Sequence, residues 1–393
     1  MCGILIGALT PYGAHAWTES VLYTFKGGND GQWPVSTLIS DGQGNLYGTT
    51  YGGGAGCTTN QGCGTVFRLS PDGTKTVLHA FSGANVVPSD GSHPSGPLTM
   101  DAANNLYGTT IAGGAGCFCG TVFRITPAGA YTILHSFRRA DGVSPLSGVT
   151  IDGAGNLYGV ASLMGLNNGC CGTVFKITPA GEFTLVYEFK GGDGESPQSP
   201  LIIDSMGNLY GTTEYGGFSC ADGHGLGCGT VFKIAANRTE SVLYAFRGGH
   251  DGNVPMGSLV MATDGSFSGT TELGGGTGCN KRGCGTIFKV LPDGTETVLS
   301  TLNRSNGPAT PFGGVIARST GALFGTSRSG GAAGCGTVFR LWPGQVAKTI
   351  YSFTCGPDGS DPQGGLLLGK HGSLYGTTFG GGEGLGVVFA LKP

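Results

Sequence analysis

Charge is scarce in this chain: Lys, Arg, Asp and Glu make up 11% of its 393 residues, and the formal net charge is -3. A nucleic-acid surface normally displays a basic stripe, whereas the short basic clusters here are Arg138-Arg139 and Lys281-Arg282. No nucleic-acid partner is expected. Long apolar runs are missing too. No stretch approaches the roughly 20 residues that a helix needs to cross a bilayer, so no membrane span is expected. Helical periodicity is absent, and so are a Ser-His-Asp arrangement, a phosphate loop, a zinc-hydrolase motif and a dinucleotide fingerprint.

Glycine is abundant, with 80 residues. Gly-rich tracts commonly form flexible linkers, but these glycines recur in register with apolar runs, which points to turns and close packing. One phrase is written seven times. Its Gly-Thr-Val-Phe element, with small variations, runs through Gly64 to Phe67, Gly120 to Phe123, Gly172 to Phe175, Gly229 to Phe232, Gly285 to Phe288, Gly336 to Phe339 and Gly386 to Phe389, at spacings of 50 to 57 residues. A period near fifty, filled with short runs rich in Val, Leu, Tyr, Phe and Thr between Gly, Pro and Asp turns, is the pattern of four-stranded propeller blades.

In the second copy the expected strands are Pro97 to Met100, Asn105 to Thr110, Thr121 to Thr126 and Tyr131 to Phe137. The turns after strands one and three are tight, as at Asp41-Gly42, Asp72-Gly73 and Asp293-Gly294, while those after strands two and four are long. Alternating strand direction then gathers the long loops on one face. Val21 to Phe25 is a fourth-strand motif with no blade before it, and the last unit, Leu366 to Lys392, stops after its third strand. Joining the two completes a blade and removes an exposed sheet edge. The expected fold is therefore an all-β, seven-bladed β-propeller forming one domain over residues 17–393, its ring closed by the N-terminal strand. Residues 1–16 fall outside the repeat, and Ile4 to Leu9 followed by Ala14-His15-Ala16 resembles the end of a secretion signal without its basic segment. A truncated leader or a simple N-terminal extension is expected there.

Six of the thirteen cysteines occupy one repeat position, immediately before the Gly-Thr element: Cys63, Cys119, Cys171, Cys228, Cys284 and Cys335. Five have a companion in the same loop, namely Cys57, Cys117, Cys170, Cys220 and Cys279; Cys335 lacks one, which leaves Cys355 as its candidate, and Cys2 is left odd. Such pairs suggest disulfide staples in an oxidising compartment, outside the cell or in the periplasm. The spacings of Cys57/Cys63, Cys220/Cys228 and Cys279/Cys284 leave room for normal bridges. Cys117/Cys119 and the adjacent Cys170/Cys171 would need strained ones. No loop supplies the four Cys or His ligands of a structural metal site.

The repeat wording, Asp41 to Thr50, then Cys63 to Thr74 and Val77 to Phe81, resembles the Gloeo-Verruco tandem-repeat family of exported bacterial proteins. The resemblance covers residues 17–393 and implies an extracytoplasmic protein, in many cases carrying a sorting anchor; no anchor sequence is read before Pro393, so anchoring is not expected from these residues, and the family brings no catalytic residues to carry over. A weaker, architectural likeness runs to streptogramin lyase-type propellers, whose repeats share the Asp-Gly-Asn-Leu and Thr-Pro-Asp-Gly turns.

Two sets of residues are candidate sites. The loops after strand four carry a repeated Asp-Gly at Asp30, Asp90, Asp141, Asp193, Asp251 and Asp358, with Asn306 in the remaining copy. A carboxylate ring could hold Ca²⁺; alternatively, each Asp accepts hydrogen bonds from its own turn. Just after strand two the seven copies read Tyr51, Ile111, Ser162, Glu214, Glu272, Arg328 and Phe379. Glu214, Glu272 and Arg328 on consecutive blades, beside Phe379 and Tyr51, could grip a sugar or peptide, or perform acid-base cleavage. The favoured expectation is a non-catalytic extracellular scaffold that binds a glycan, peptide or protein on its long-loop face without a cofactor. The alternatives are an extracellular lyase or hydrolase using Glu214 and Glu272, and a structural surface or filament component.

Overall fold

The computed structural model describes residues 17–393 apart from 55–56, 58–60, 84–88, 164, 166–170, 219, 221–224, 280 and 306. The expected leader over 1–16, together with Cys2, Cys170 and Asn306, lies outside the described residues.

Each blade begins with a short innermost strand, and in the first four blades an aspartate locks its exit. In the first blade, Asp41 accepts hydrogen bonds from the N–H groups of Gln43 and Asn45 (both 2.9 Å), from the Asn45 amide (2.7 Å) and from the Tyr47 hydroxyl (3.0 Å). Asp101 and Asp204 do the same with Asn105/Tyr107 and Asn208/Tyr210, which explains why Asn and Tyr recur after the turn. Blade one then runs Ile39–Ser40, Leu46–Thr50, Thr65–Leu69 and Lys75–Ala80, each strand antiparallel to the next. Blade two runs Thr99–Met100, Leu106–Thr110, Thr121–Ile125 and Tyr131–Ser136. Its inner ladder starts later than Pro97 because proline has no N–H to donate. The same order recurs through five further sheets, so the described residues form a seven-bladed β-propeller.

The ring closes as the repeat pattern implies. Strand Thr18–Thr24 lies antiparallel to Val387–Lys392, with Thr18 opposite Lys392 and Thr24 opposite Val387, and so supplies the fourth strand of blade seven. Every blade carries a bulge between its third and fourth strands: Val66 faces His79 but Phe67 faces Val77, so Leu78 is skipped, and blade seven skips Leu22. A bulge increases local twist, and its repetition gives each blade the same twist against its neighbour.

The core lies between blades. Phe67, Phe123, Phe175, Phe232, Phe288, Phe339 and Phe389 of the third strands are all fully buried. Six of them meet the last phenylalanine of the preceding blade edge-on: Phe25–Phe67, Phe81–Phe123, Phe137–Phe175, Phe189–Phe232, Phe246–Phe288 and Phe353–Phe389, with centroids 5.0–5.4 Å apart. Leu302 packs with Phe339 at the remaining joint. The ring of each third-strand Phe lies over the glycine of its blade's second strand. A Cβ on Gly159 would stand 2.5 Å from Phe175 Cζ, which explains a residue otherwise unfavourable in a strand. Gly159→Ala is expected to cost about 1–2 kcal/mol by overpacking. Gly153→Ala, where nothing lies within 4 Å of the new Cβ, should be near-neutral; urea unfolding of the two variants checks the contrast.

Candidate functional site

The long-loop face is organised by a residue that precedes a proline at the start of every blade. Trp33, His93, Ser144, Ser196, Val254, Thr310 and Asp361 all have φ between 51° and 61°. Left-handed backbone is costly for any residue with a Cβ, and most of all for β-branched Val254 and Thr310, so the surroundings must hold it. Each N–H donates to a carbonyl of the preceding blade, that of Leu385, Cys63, Cys119, Cys171, Cys228, Cys284 or Cys335 respectively, at 2.7–3.1 Å. Each following proline fits against a glycine: a Cβ on Gly64 would stand 2.5 Å from Pro94 Cδ, and one on Gly386 2.5 Å from Pro34 Cδ.

The cysteines therefore have a structural place. The residue before each Gly-Thr element accepts the bond that sets the next blade, and in six of seven copies it is a half-cystine. The bridges are Cys57–Cys63, Cys117–Cys119, Cys220–Cys228, Cys279–Cys284 and Cys335–Cys355, with Cα atoms 5.1–5.5 Å apart. Cys171 is also disulfide-bonded. At the seventh joint the residue is Leu385, and there the blade is completed by strand exchange between the chain ends.

Carbonyls of the pre-proline residues in turn accept the N–H groups of the residues leaving strand two: Trp33 from Tyr51, Val254 from Glu272, Thr310 from Arg328 and Asp361 from Phe379. In blade four the pairing becomes a short ladder, Glu195 opposite Tyr215 and Pro197 opposite Thr213, so Glu214 sits on a strand. Two rings thus surround the axis, and inside them lies a cavity of about 410 Å³ to which all seven blades contribute.

One side of the mouth is aromatic. Phe379 stacks on Trp33 with centroids 5.7 Å apart and planes 12° from parallel, and Tyr51 packs on His93 at 4.6 Å. Tyr51 and Phe379 also line the cavity, but they are engaged with these partners and not with each other. The other side is polar. Glu214 accepts hydrogen bonds from Ser196 (3.1 Å) and Gln198, and Arg328 donates to Asp361 (2.9 Å) while lying 5.3 Å over the Phe312 ring. Gln363 also donates to Asp361 at 2.9 Å. Gln198, Phe312 and Gln363 line the cavity, so Glu214, Arg328 and Asp361 stand one contact behind its wall.

Electrostatics tie the sector together. Burial, then the Glu214 and Asp361 charges, hold the Glu272 carboxyl above the usual range against the pull of Arg328. Burial and Glu214 raise Glu195 likewise. Burial and hydrogen bonding to Glu214 push the Tyr215 phenol up to about 12. The structure therefore brings Glu214, Glu272 and Arg328 into one electrostatic neighbourhood. The sequence did not disclose the partners Trp33, His93, Ser196, Gln198, Asp361 and Gln363; the available signal was an X-Pro pair at the same point of every repeat.

The Asp-Gly aspartates lie elsewhere, engaged with their own blade's fourth strand and following turn, and Asp30 reaches the next blade as well. Asp193, Asp251 and Asp358 accept from the hydroxyls of Tyr187, Tyr244 and Tyr351 (2.5–2.8 Å) and from the N–H groups of Lys190, Arg247 and Thr354. Asp90 and Asp141 meet His79 and His135 in the same way, at 2.9 and 3.1 Å. Asp30 accepts from Tyr23 and from Lys75 of blade one. Among the described residues no group of three His, Cys, Asp or Glu side chains is placed to hold a metal ion.

These features define a closed seven-bladed propeller with stapled blade joints and a cavity on its axis. The sequence matches the Gloeobacter/Verrucomicrobia repeat over residues 6–169, 58–281 and 278–393, and the chain belongs to that family. No curated protein matches it. Two similar solved structures are extracellular domains assigned to hybrid two-component systems of B. thetaiotaomicron. One is 9% identical with a TM-score of 0.57, covering 94% of this chain and 39% of that one. The other is 12% identical with a TM-score of 0.54, covering 91% and 40%. The chain thus spans about two-fifths of those proteins, and the likeness is one of fold. A gluconolactonase from Xanthomonas campestris is 14% identical with a TM-score of 0.44, covering 78% of this chain and 85% of that one.

Proposed function

We propose that the protein is an extracellular or periplasmic, non-catalytic propeller that binds a glycan at the mouth of its axial cavity. The observation that carries this reading is the pairing of flat aromatic faces, Phe379 on Trp33 and Tyr51 on His93, with Gln198 and Gln363 across the same opening, Gln198 held from behind by Glu214. Sugar rings offer apolar faces to aromatic side chains and hydroxyls to amides and carboxylates, and concave sites with a few placed polar groups are the usual form of small-ligand sites. The disulfides at the blade joints support an oxidising location. Innermost strands only two or three residues long give a peptide little edge to pair with. The reading invokes no cofactor.

The raised Glu272 carboxyl beside Glu214 favours a second reading, an extracellular hydrolase or lyase. A glycan and peptide array on the oxidised protein, with Glu214→Gln/Glu272→Gln in parallel and mass spectrometry of the eluates, separates the two. Retention of intact glycans, weakened at least ten-fold in the variant, is the expected result. Cleaved products would establish an enzyme, and retention of peptides alone would exclude a glycan.

A further inference from the structure

We propose that the protein has a second ligand site, between blades five and six on the face that carries the tight turns, and that it takes a phenolic aromatic compound. One ring of the ligand stands where this blade joint lacks a ring of its own. The site lies away from the long-loop face and does not depend on the glycan reading.

The second residue of strand two fills the joint to the next blade. In six copies it is aromatic, Tyr47, Tyr107, Tyr158, Tyr210, Phe324 and Tyr375, and each ring packs against the core of the following blade. In blade five it is Ser268, which stands opposite Lys289 just as Tyr158 stands opposite Lys176 and Tyr210 opposite Lys233. The lysines of blades three and four lie over those rings, 5.6 and 5.7 Å from the centroids, whereas Lys289 faces a serine. The preceding turn has changed as well. Asp41, Asp101 and Asp204 accept the tyrosine hydroxyls of blades one, two and four, but the equivalent residue of blade five is Ala262, whose N–H donates to the Ser266 carbonyl as that of Asp41 does to Asn45. An aromatic ring and the acceptor for its hydroxyl are therefore missing from this joint together.

A cavity of about 990 Å³ lies at that joint, within the range of about 300–1,000 Å³ usual for small-molecule sites. Leu299 and Leu323 give it apolar walls, and Met261 and Val346, 38% and 68% exposed, belong to its lining. Trp342 adds an indole at the turn position held by Ser70, Thr126 and Thr178 in the first three blades. Thr263, Ser268 and Gln345 supply hydroxyls and an amide, and no lining residue is acidic. The two cations of the lining are engaged: Lys289 meets Asp264 at 3.0 Å, and the Arg318 guanidinium lies 4.4 Å over Phe324 and donates to the Gly372 carbonyl of blade seven. Neutral hydrogen-bonding groups beside a vacated ring position suit phenol hydroxyls better than a carboxylate, and a flat ring in that place regains the contact with lysine seen in blades three and four.

The experiment is calorimetric titration of the oxidised full chain with para,para′-dihydroxybiphenyl, its fully hydrogenated counterpart and dodecanoate. The expected result is binding of the biphenyl at least ten-fold tighter than of the saturated diol or the fatty acid. Ser268→Tyr restores the residue type of the other blades; it should abolish the binding and raise the melting temperature, because the new ring fills the joint beneath Lys289. Val346→Asp, on the exposed turn, should weaken binding at least three-fold with the melting temperature unchanged. Equal binding of the saturated diol, tighter binding of the fatty acid or silence with all three overturns the proposal. Binding that survives Ser268→Tyr, as binding at the axial mouth would, overturns it too. Should Ser268→Tyr fail to fold, Val346→Asp carries the test, and an unchanged affinity there overturns the site.

Discussion

Deletion of residues 17–25 will abolish the cooperatively folded ring, leaving aggregated protein without a sharp thermal transition. The segment supplies one of the four strands of its blade, yet it completes a blade that nothing else can complete. Without it, Val387–Lys392, of which Val387, Val388, Phe389 and Leu391 are fully buried, becomes an exposed edge, and such an edge is a template for pairing with other chains. Phe25 leaves with it. That ring is fully buried and packs 5.3 Å from Phe67, a loss worth about 3–5 kcal/mol by itself, against a total stability of about 5–15 kcal/mol for a typical domain. The joint also loses the Tyr23 hydroxyl that binds Asp30, weakening a blade contact in which a buried lysine, Lys75, meets a carboxylate at 2.9 Å. Size-exclusion chromatography and circular dichroism read the outcome, and the deleted strand re-attached after Pro393 through a Gly-Ser linker should restore the transition. A monomeric deletion variant with an unchanged melting temperature would show that the blades do not need closure.

The fold was legible in the sequence because a propeller states its architecture repeatedly: one blade's strands, once placed, place the rest, and the unmatched Val21–Phe25 motif announces the closure. The site was only half legible. Tyr51, Glu214, Glu272, Arg328 and Phe379 stand out because they depart from the repeat at a position otherwise uniform in role. The ring beside them is hidden for the opposite reason. Trp33, His93, Ser144, Ser196, Val254, Thr310 and Asp361 share no side-chain chemistry, only a left-handed backbone that the following proline and the preceding blade impose. The Asp-Gly aspartates were legible as a ring of equivalents, but nothing local shows that the Tyr or His six to eleven residues upstream turns back to meet each one. Contacts across a joint were the least legible of all. Glu19, Glu240 and Glu296 stand at strand starts that resemble solvent-facing positions, and only the ring brings them against the preceding blade.

Those three glutamates should make the protein more stable at pH 5 than at pH 8. Burial, and next the charge of Asp193, pushes Glu240 up to about 7; burial and Asp251 do the same to Glu296, and burial and Asp358 raise Glu19. In each, one carboxylate oxygen is buried without a hydrogen-bond partner, so an added proton relieves repulsion and desolvation together. A carboxyl whose pKa is higher in the folded than in the unfolded chain makes the fold bind protons more tightly. Stability then falls as pH rises from the ordinary glutamate value toward about 7 and levels off above it. These side chains are partly open to solvent, so about 1 kcal/mol each is the scale after screening, about 3 kcal/mol for the three. Two groups act differently. Asp30 and Asp90, held below the ordinary range by burial-opposed hydrogen bonds from Tyr23, Lys75, His79 and Ser82, contribute stability that is lost only at more acid pH, as it falls through their lowered values. His93 and His135, lowered by burial, favour folding as pH rises through the ordinary histidine value, opposing the glutamates. The decisive measurement is therefore a difference: melting temperatures from pH 5 to 8 for the parent and for Glu19→Gln/Glu240→Gln/Glu296→Gln. The amide variant should be the more stable at pH 8 and should lose the decline that the parent shows between pH 5 and 7; parallel profiles would mean that the three carboxyls are already relieved by water at the joints.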